Sequence, residues 1–202
     1  MAGLFSMLGW VGINNVYAAE NQRINKEYCH VSFVAPALVD YVEIPDDIYL
    51  GDNVCYLPFI FTGPLKQKRV DMPGTLQEWR ASTDFVVTIR RVPLTEALNQ
   101  IEAPDGGAQS GLFTLVSKTR TELSGGDLYT LHFKATKPTE NMKLLKTYAL
   151  TIYVLGNSKY SATFYAYLSE KNPRRMMRQR TYRELFSSFS FLPEIQDKNH
   201  PQ

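Results

Sequence analysis

The sequence predicts an α+β fold, a mostly antiparallel sheet with consecutive hairpins and a C-terminal helix packed on it. Three observations predict it. Apolar and polar residues alternate along most of the chain instead of recurring every three or four positions. Two turn signals, Ser124-Gly125-Gly126-Asp127 and Gly156-Asn157-Ser158-Lys159, each separate a pair of strand-like runs. Near the end, Tyr182, Leu185, Phe186 and Phe189 follow at i, i+3, i+4 and i+7, the stripe with which a helix docks on a sheet. The 202 residues, 44% apolar and 21% charged, suit one buried domain and exclude disordered, collagenous and coiled-coil classes. Twelve Tyr and eleven Phe against two Trp favour a sheet-rich core.

In chain order, the first expectation is an address. No charge precedes Glu20, and the apolar block Ala2–Ile13 gives way to Asn14 and Asn15, then Val16-Tyr17-Ala18. That pattern predicts a signal peptide over residues 1–18, a single binding domain over 19–192 and a flexible tail over 193–202. The leading region lacks Lys and Arg, which leaves an upstream start or an atypical signal. A membrane anchor and an amphipathic N-terminal helix are the alternatives, the anchor weakened by Gly9, Gly12, Asn14 and Asn15. The expected location is periplasmic or secreted. Cys29 and Cys55 then form an even pair, a disulfide in an oxidising compartment and otherwise two buried thiols. Paired zinc-ligand spacing is absent.

His30–Val34 is a short strand stopped by Pro36, and Val39–Ile44 alternates before Pro45-Asp46-Asp47 turns the chain. Val54–Phe61 is a dense apolar strand in which Pro58 implies an edge position or a bulge. A short helix is expected from Thr75 to Ala81, and a strand over Phe85–Arg91. A second short helix follows Pro93, with Leu94, Leu98 and Ile101 on one side. The hairpins pair Leu112–Arg120 with Leu128–Ala135, and Tyr148–Leu155 with Tyr160–Leu168, the last two reading as central strands. For the closing helix, Asn172 suits the N-cap and Pro173 the first helical position, and Pro193 ends it.

This order of elements resembles the Mog1/PsbP/DcrB-like fold of small α/β/α sandwiches. The likeness is carried by Val31-Ser32-Phe33-Val34-Ala35-Pro36, by the aromatic hairpins and by a closing helix that runs into Ser187-Ser188-Phe189-Ser190-Phe191. The resemblance implies a binding role without turnover. Its envelope-targeted members include immunity proteins that plug bacterial toxins, such as those of type VI secretion, and others are adaptors or photosystem subunits. It transfers no site residues.

Motifs of known chemistry do not contradict that reading. The chain has no Gly-x-Ser-x-Gly elbow, no phosphate-cradling glycine loop and no His-Glu-x-x-His. His30, His132 and His200 stand apart, and a lone strand histidine is most often structural. Glu43, Asp46, Asp47 and Asp52 surround a turn, where solvated acids outweigh glycosidase or calcium chemistry. The distinctive feature is basic. Residues 170–184 hold six basic and two acidic side chains, a local +4 in a chain of net +2, so the remainder carries −2. Lys171, Arg174, Arg175 and Arg178 project toward the side of the apolar stripe, so either the helix starts later or its first turns overhang the sheet as an arginine fork.

The expectation is therefore an exported, non-catalytic binding protein with Arg174, Arg175, Arg178, Arg180 and Arg183 at the partner interface. The partner is a protein, foremost a secreted toxin neutralised by a periplasmic immunity protein. A periplasmic adaptor or assembly factor of an envelope machine is the alternative. No cofactor, metal, nucleic acid or stable membrane insertion after signal cleavage is expected.

Overall fold

A computed structural model describes residues 23–43, 54–66, 83–103, 113–136, 148–169 and 171–193. The expected signal peptide, the Thr75–Ala81 helix and nearly all of the tail lie outside them. The elements are β1 (Arg23–Lys26), β2 (Val31–Val34), β3 (Val39–Tyr41), β4 (Val54–Phe61), β5 (Phe85–Arg90), α1 (Leu94–Glu102), β6 (Phe113–Leu123), β7 (Gly126–Ala135), β8 (Tyr148–Gly156), β9 (Ser161–Ser169), α2 (Arg175–Ser188) and β10 (Ser190–Phe191). Among the described residues every strand pairing is antiparallel.

Two sheets form where the sequence suggested one. The larger has the order β3-β4-β5-β9-β8-β7-β6, and β1-β2-β10 makes a second. The cause is β2, whose four residues pair with β1 on one side, while on the other Val31 and Ser32 pair with β10 and Val34 bonds to Ser188 Oγ, leaving no edge for the larger sheet. Neither β1 nor β10 was legible as a strand. The hairpins read from the turn signals are β6–β7 and β8–β9, and β8 and β9 occupy the sheet centre. Along β8, Leu150, Ile152 and Val154 pack toward α1 while Tyr153 and Leu155 pack toward α2, so both faces are buried.

Pro58 is not on an edge strand, because β4 lies between β3 and β5. Its carbonyl accepts the Val42 N–H at 3.0 Å, just past the end of β3. Since the N and C=O of a strand residue point to the same side, the missing donor faces the short strand and β5 loses no bond.

One core lies between the larger sheet and a layer made of α2 and the small sheet. Tyr182 stands at its centre, with ring centroids of Phe164, Phe85, Tyr153 and Phe61 at 4.7, 5.2, 5.8 and 5.9 Å. Such pairs contribute roughly 0.5–1.5 kcal/mol each beyond their buried area. On the opposite face, Leu94, Ala97, Leu98 and Ile101 of α1 cover Phe133, Leu150 and Ile152. The Cys29–Cys55 disulfide, with Cα atoms 5.6 Å apart, ties the turn after β1 to β4 and so pins the small sheet to the large one.

Both ends of α2 are fixed. Asn172 Oδ1 accepts the Arg174 N–H at 2.8 Å, which makes Asn172 the head of a turn, and the helix starts at Arg175 with Arg174 as its cap. The expected cap at Asn172 is thus displaced by two residues. At the other end, Ser188 Oγ accepts the Val34 N–H at 3.0 Å. The Leu192 N–H then reaches His30 O at 2.8 Å, drawing the chain along β2.

Candidate functional site

The five arginines do not form one fork. Helical geometry separates Arg175 and Arg178 by about 60° around the axis, and this is enough to send them to opposite sides of Tyr182. Arg178 lies over the Phe61 ring of β4, its Cζ 4.9 Å from the centroid. Arg175 acts on His132 of β7 and Tyr153 of β8, on the other side. Both are half-buried with their Nε atoms sealed from solvent and without a hydrogen-bond partner, so their stems belong to the core edge. Arg174, Arg180 and Arg183 are exposed. Arg180 pairs with Glu184 at 2.7 Å, and Arg183 Nε approaches Gln179 O at 3.4 Å. Beside this cationic face, Met176 and Met177 stand 71% and 40% exposed.

Sequence reasoning missed a polar cleft of about 270 Å³ between α2 and strands β6, β7 and β8. Its walls carry Thr119 and Thr121 from β6, Thr130 and His132 from β7, Tyr153 from β8, and Gln179 and Arg183 from α2. A bulge assembles it. The register of β6 against β7 shifts between Leu115 and Ser117, leaving Val116 65% exposed as the extra residue. Upstream of the bulge Leu115 sits opposite Phe133 and faces α1; downstream Ser117 sits opposite His132, so Ser117, Thr119 and Thr121 face α2. A polar run on the helix-facing side of a hairpin is the signal that could have located the cleft.

At the floor, His132 Nδ1 lies 3.0 Å from Thr151 Oγ1. Burial, reinforced by the positive charges of Arg175 and Arg183, holds its pKa below the ordinary histidine value, so the ring is neutral at pH 7. Burial also pushes the Tyr153 hydroxyl up to about 12, against the opposing pull of the same two arginines, which keeps it a proton donor.

The other residues singled out from sequence are dispersed. His30 stacks on Tyr160 with centroids 5.0 Å apart and closes the turn before β2 in the left-handed region, φ 51°. Glu43 forms an ion pair with Lys26, while Asp46, Asp47, Asp52 and His200 lie outside the described residues. Among the described residues, no three His, Cys, Asp or Glu side chains gather as a metal site would require, and no helix is long and apolar enough to cross a membrane.

No family model matches the chain, and no curated protein matches it. Two solved structures are similar to it in fold. One is the solution structure of cyanobacterial PsbP (CyanoP) from Synechocystis sp. PCC 6803, with 16% identity and a TM-score of 0.45, covering 94% of this chain and 99% of that chain. Another is a crystal structure from Bacteroides thetaiotaomicron VPI-5482, with 8% identity and a TM-score of 0.35. It covers 90% of this chain and 51% of the other, so the chain spans about half of that protein's length.

Proposed function

We propose that this chain is an exported, non-catalytic binding protein that docks an acidic protein partner on the outward side of α2. The observation that carries the reading is the exposure of Arg180 and Arg183 on α2, and of Arg174 at its cap, while Tyr182, Leu185 and Phe186 lock the helix into the core. Arginine forks pair bidentately with carboxylates, and a rigid helix presents them at little ordering cost. The exposed Met176 and Met177 add adaptable apolar area beside the charges. Export is supported by the Cys29–Cys55 bond, of a kind that persists in oxidising compartments. The absence of turnover in this reading is supported by the setting of His132, whose Nδ1 meets a threonine hydroxyl instead of a carboxylate and whose proton affinity is depressed.

Within that class, a periplasmic immunity protein that neutralises a bacterial toxin is the reading that the chain's resemblance favours, with an envelope adaptor or assembly factor second. The test is co-purification of the chain with the product of its neighbouring reading frame, repeated with Arg174→Glu/Arg180→Glu. Like charges placed across an interface cost several kcal/mol, so the double reversal should weaken a one-to-one complex roughly 100-fold while leaving the melting temperature nearly unchanged. A complex indifferent to the reversal overturns docking through α2. A neighbour with no affinity for the chain overturns the immunity reading and directs the search to envelope assemblies.

A further inference from the structure

We propose that the cleft between α2 and strands β6, β7 and β8 is a binding site for a small free oxyanion, a carboxylate or phosphate group on a soluble ligand. Its volume of about 270 Å³ suits one such group with a few attached atoms and is too small for a folded segment. The lining is rich in donors. Arg183 offers a guanidinium with donors only, Gln179 an amide, and Thr121, Thr130 and Tyr153 hydroxyls, while the Thr119 hydroxyl donates to Thr130 O at 3.5 Å and presents its lone pairs. Among the described residues no carboxylate lines the cleft, and the acid of α2, Glu184, is held by Arg180. An anion entering it therefore meets hydrogen-bond donors and one net positive charge, with no repulsion from the walls.

Two further features point the same way. Arg175, whose charge is felt at His132, has its Nε buried without a hydrogen-bond partner and adds to the positive field at this end of the cleft. The floor is also well ordered. Tyr153 is 2% exposed and stacks on Phe164 and Phe186, with centroids 6.2 and 5.7 Å away, so its hydroxyl is held in place and not free to follow solvent. Donors fixed before the ligand arrives bind it with little loss of entropy.

Among the described residues, the charged and titratable groups around His132 are Arg175 and Arg183 from α2, Tyr153 from β8 and Lys134 on the same face of β7; the residues of β6 facing this side, Ser117, Thr119 and Thr121, carry no charge. All the ionised neighbours are positive, so the ring stays neutral while the cleft is empty. A bound oxyanion supplies the missing negative charge and favours the imidazolium. Binding and protonation are therefore coupled, and affinity rises as pH falls through the histidine range.

The experiment is an NMR titration of the His132 ring in the full chain, at constant ionic strength set with sodium chloride, using inorganic phosphate in one arm and acetate in the other. The expected result is a saturable shift at His132 with at least one anion, and a rise of about one unit in its pKa, a tenfold gain in proton affinity. The arm that responds names the ligand's charged group. Arg183→Gln, an exposed position that should leave the fold intact, should weaken the response at least tenfold, and Arg183→Lys should restore part of it. A titration in which neither anion moves His132 beyond the effect of chloride overturns the proposal, as does an Arg183→Gln variant that responds like the wild type. Arg174 and Arg180, which test the docking reading, do not line this cleft, so each idea can fail without the other.

Discussion

Reducing the Cys29–Cys55 bond should lower stability by about 3.5 kcal/mol at 25 °C. The two residues are 26 apart in sequence, and closing a loop of that size removes about 12 cal/mol/K from the unfolded chain in the chain-entropy treatment. Both sulfurs lie in residues only 4% and 5% exposed, so reduction leaves the packed volume almost unchanged and isolates the cross-link from any cavity effect. The assay is guanidinium unfolding of oxidised and dithiothreitol-treated chain, followed by far-ultraviolet circular dichroism, with thermal melts in parallel. For a domain of this size the loss corresponds to a melting temperature lower by roughly 7–14 °C. The denaturant slope should also rise on reduction, because an unlinked chain exposes more surface when it unfolds. Midpoints that coincide within about 1 kcal/mol for the two forms would refute the reasoning, since the bond would then not be restraining the unfolded ensemble.

Two other perturbations probe the packing of the hairpin and the cleft. Gly125→Ala would place a Cβ 2.2 Å from Phe189 O, at the cap of α2, where the Phe189 N–H is already bound to Phe186 O; the expected cost is at the upper end of the roughly 1–3 kcal/mol of overpacking, and a urea midpoint within about 0.5 kcal/mol of wild type would show that the turn does not meet the helix end. For His132 the folded pKa is depressed below 6.5, so the unfolded chain binds the proton more readily; its contribution to stability is intact above about pH 6.5 and is lost as pH falls toward the folded pKa, and His132→Gln should flatten that part of a stability profile measured from pH 7.5 to 5, the opposite slope or an unaltered one refuting the assignment.

Local chemistry made the hairpins and α1 legible. The turn between β6 and β7 needs Gly126 at φ 133°, a conformation open to glycine alone, and the Leu94, Leu98 and Ile101 spacing admits one helical face. The apolar stripe of α2 was equally clear, and Tyr182, Leu185, Phe186 and Phe189 are all buried. The fate of the arginines beside that stripe was not. Whether Arg175 and Arg178 stand in water or lie along the core edge depends on how far the sheet extends beneath the first helical turns, and that distance is absent from the helix's own sequence.

The cleft shows the same limit more sharply. Period-two alternation alone would place Leu115, Ser117, Thr119 and Thr121 on one face, burying hydroxyls beside leucine under α1. The bulge at Val116 transfers the last three to the opposite face, where they meet His132 and Arg183. The polar run Ser117, Thr119 and Thr121 marks a solvated face, but the residue at which the register of β6 against β7 shifts is fixed by the pairing of the two strands and not by the residues around Val116.

Sequence by itself determined the antiparallel, hairpin-built class, the amphipathic faces of α1 and α2 and the concentration of positive charge before residue 184, because each depends on periodicity or composition within a dozen residues. Tertiary structure alone decided that the N-terminal and C-terminal strands join in a separate sheet, that the arginines diverge around Tyr182, and that hydroxyls, an imidazole and a guanidinium meet in one cleft. Those outcomes depend on which distant backbones pair and in what register, and hydrogen-bond pairing across more than a hundred residues is settled only when the whole core has packed.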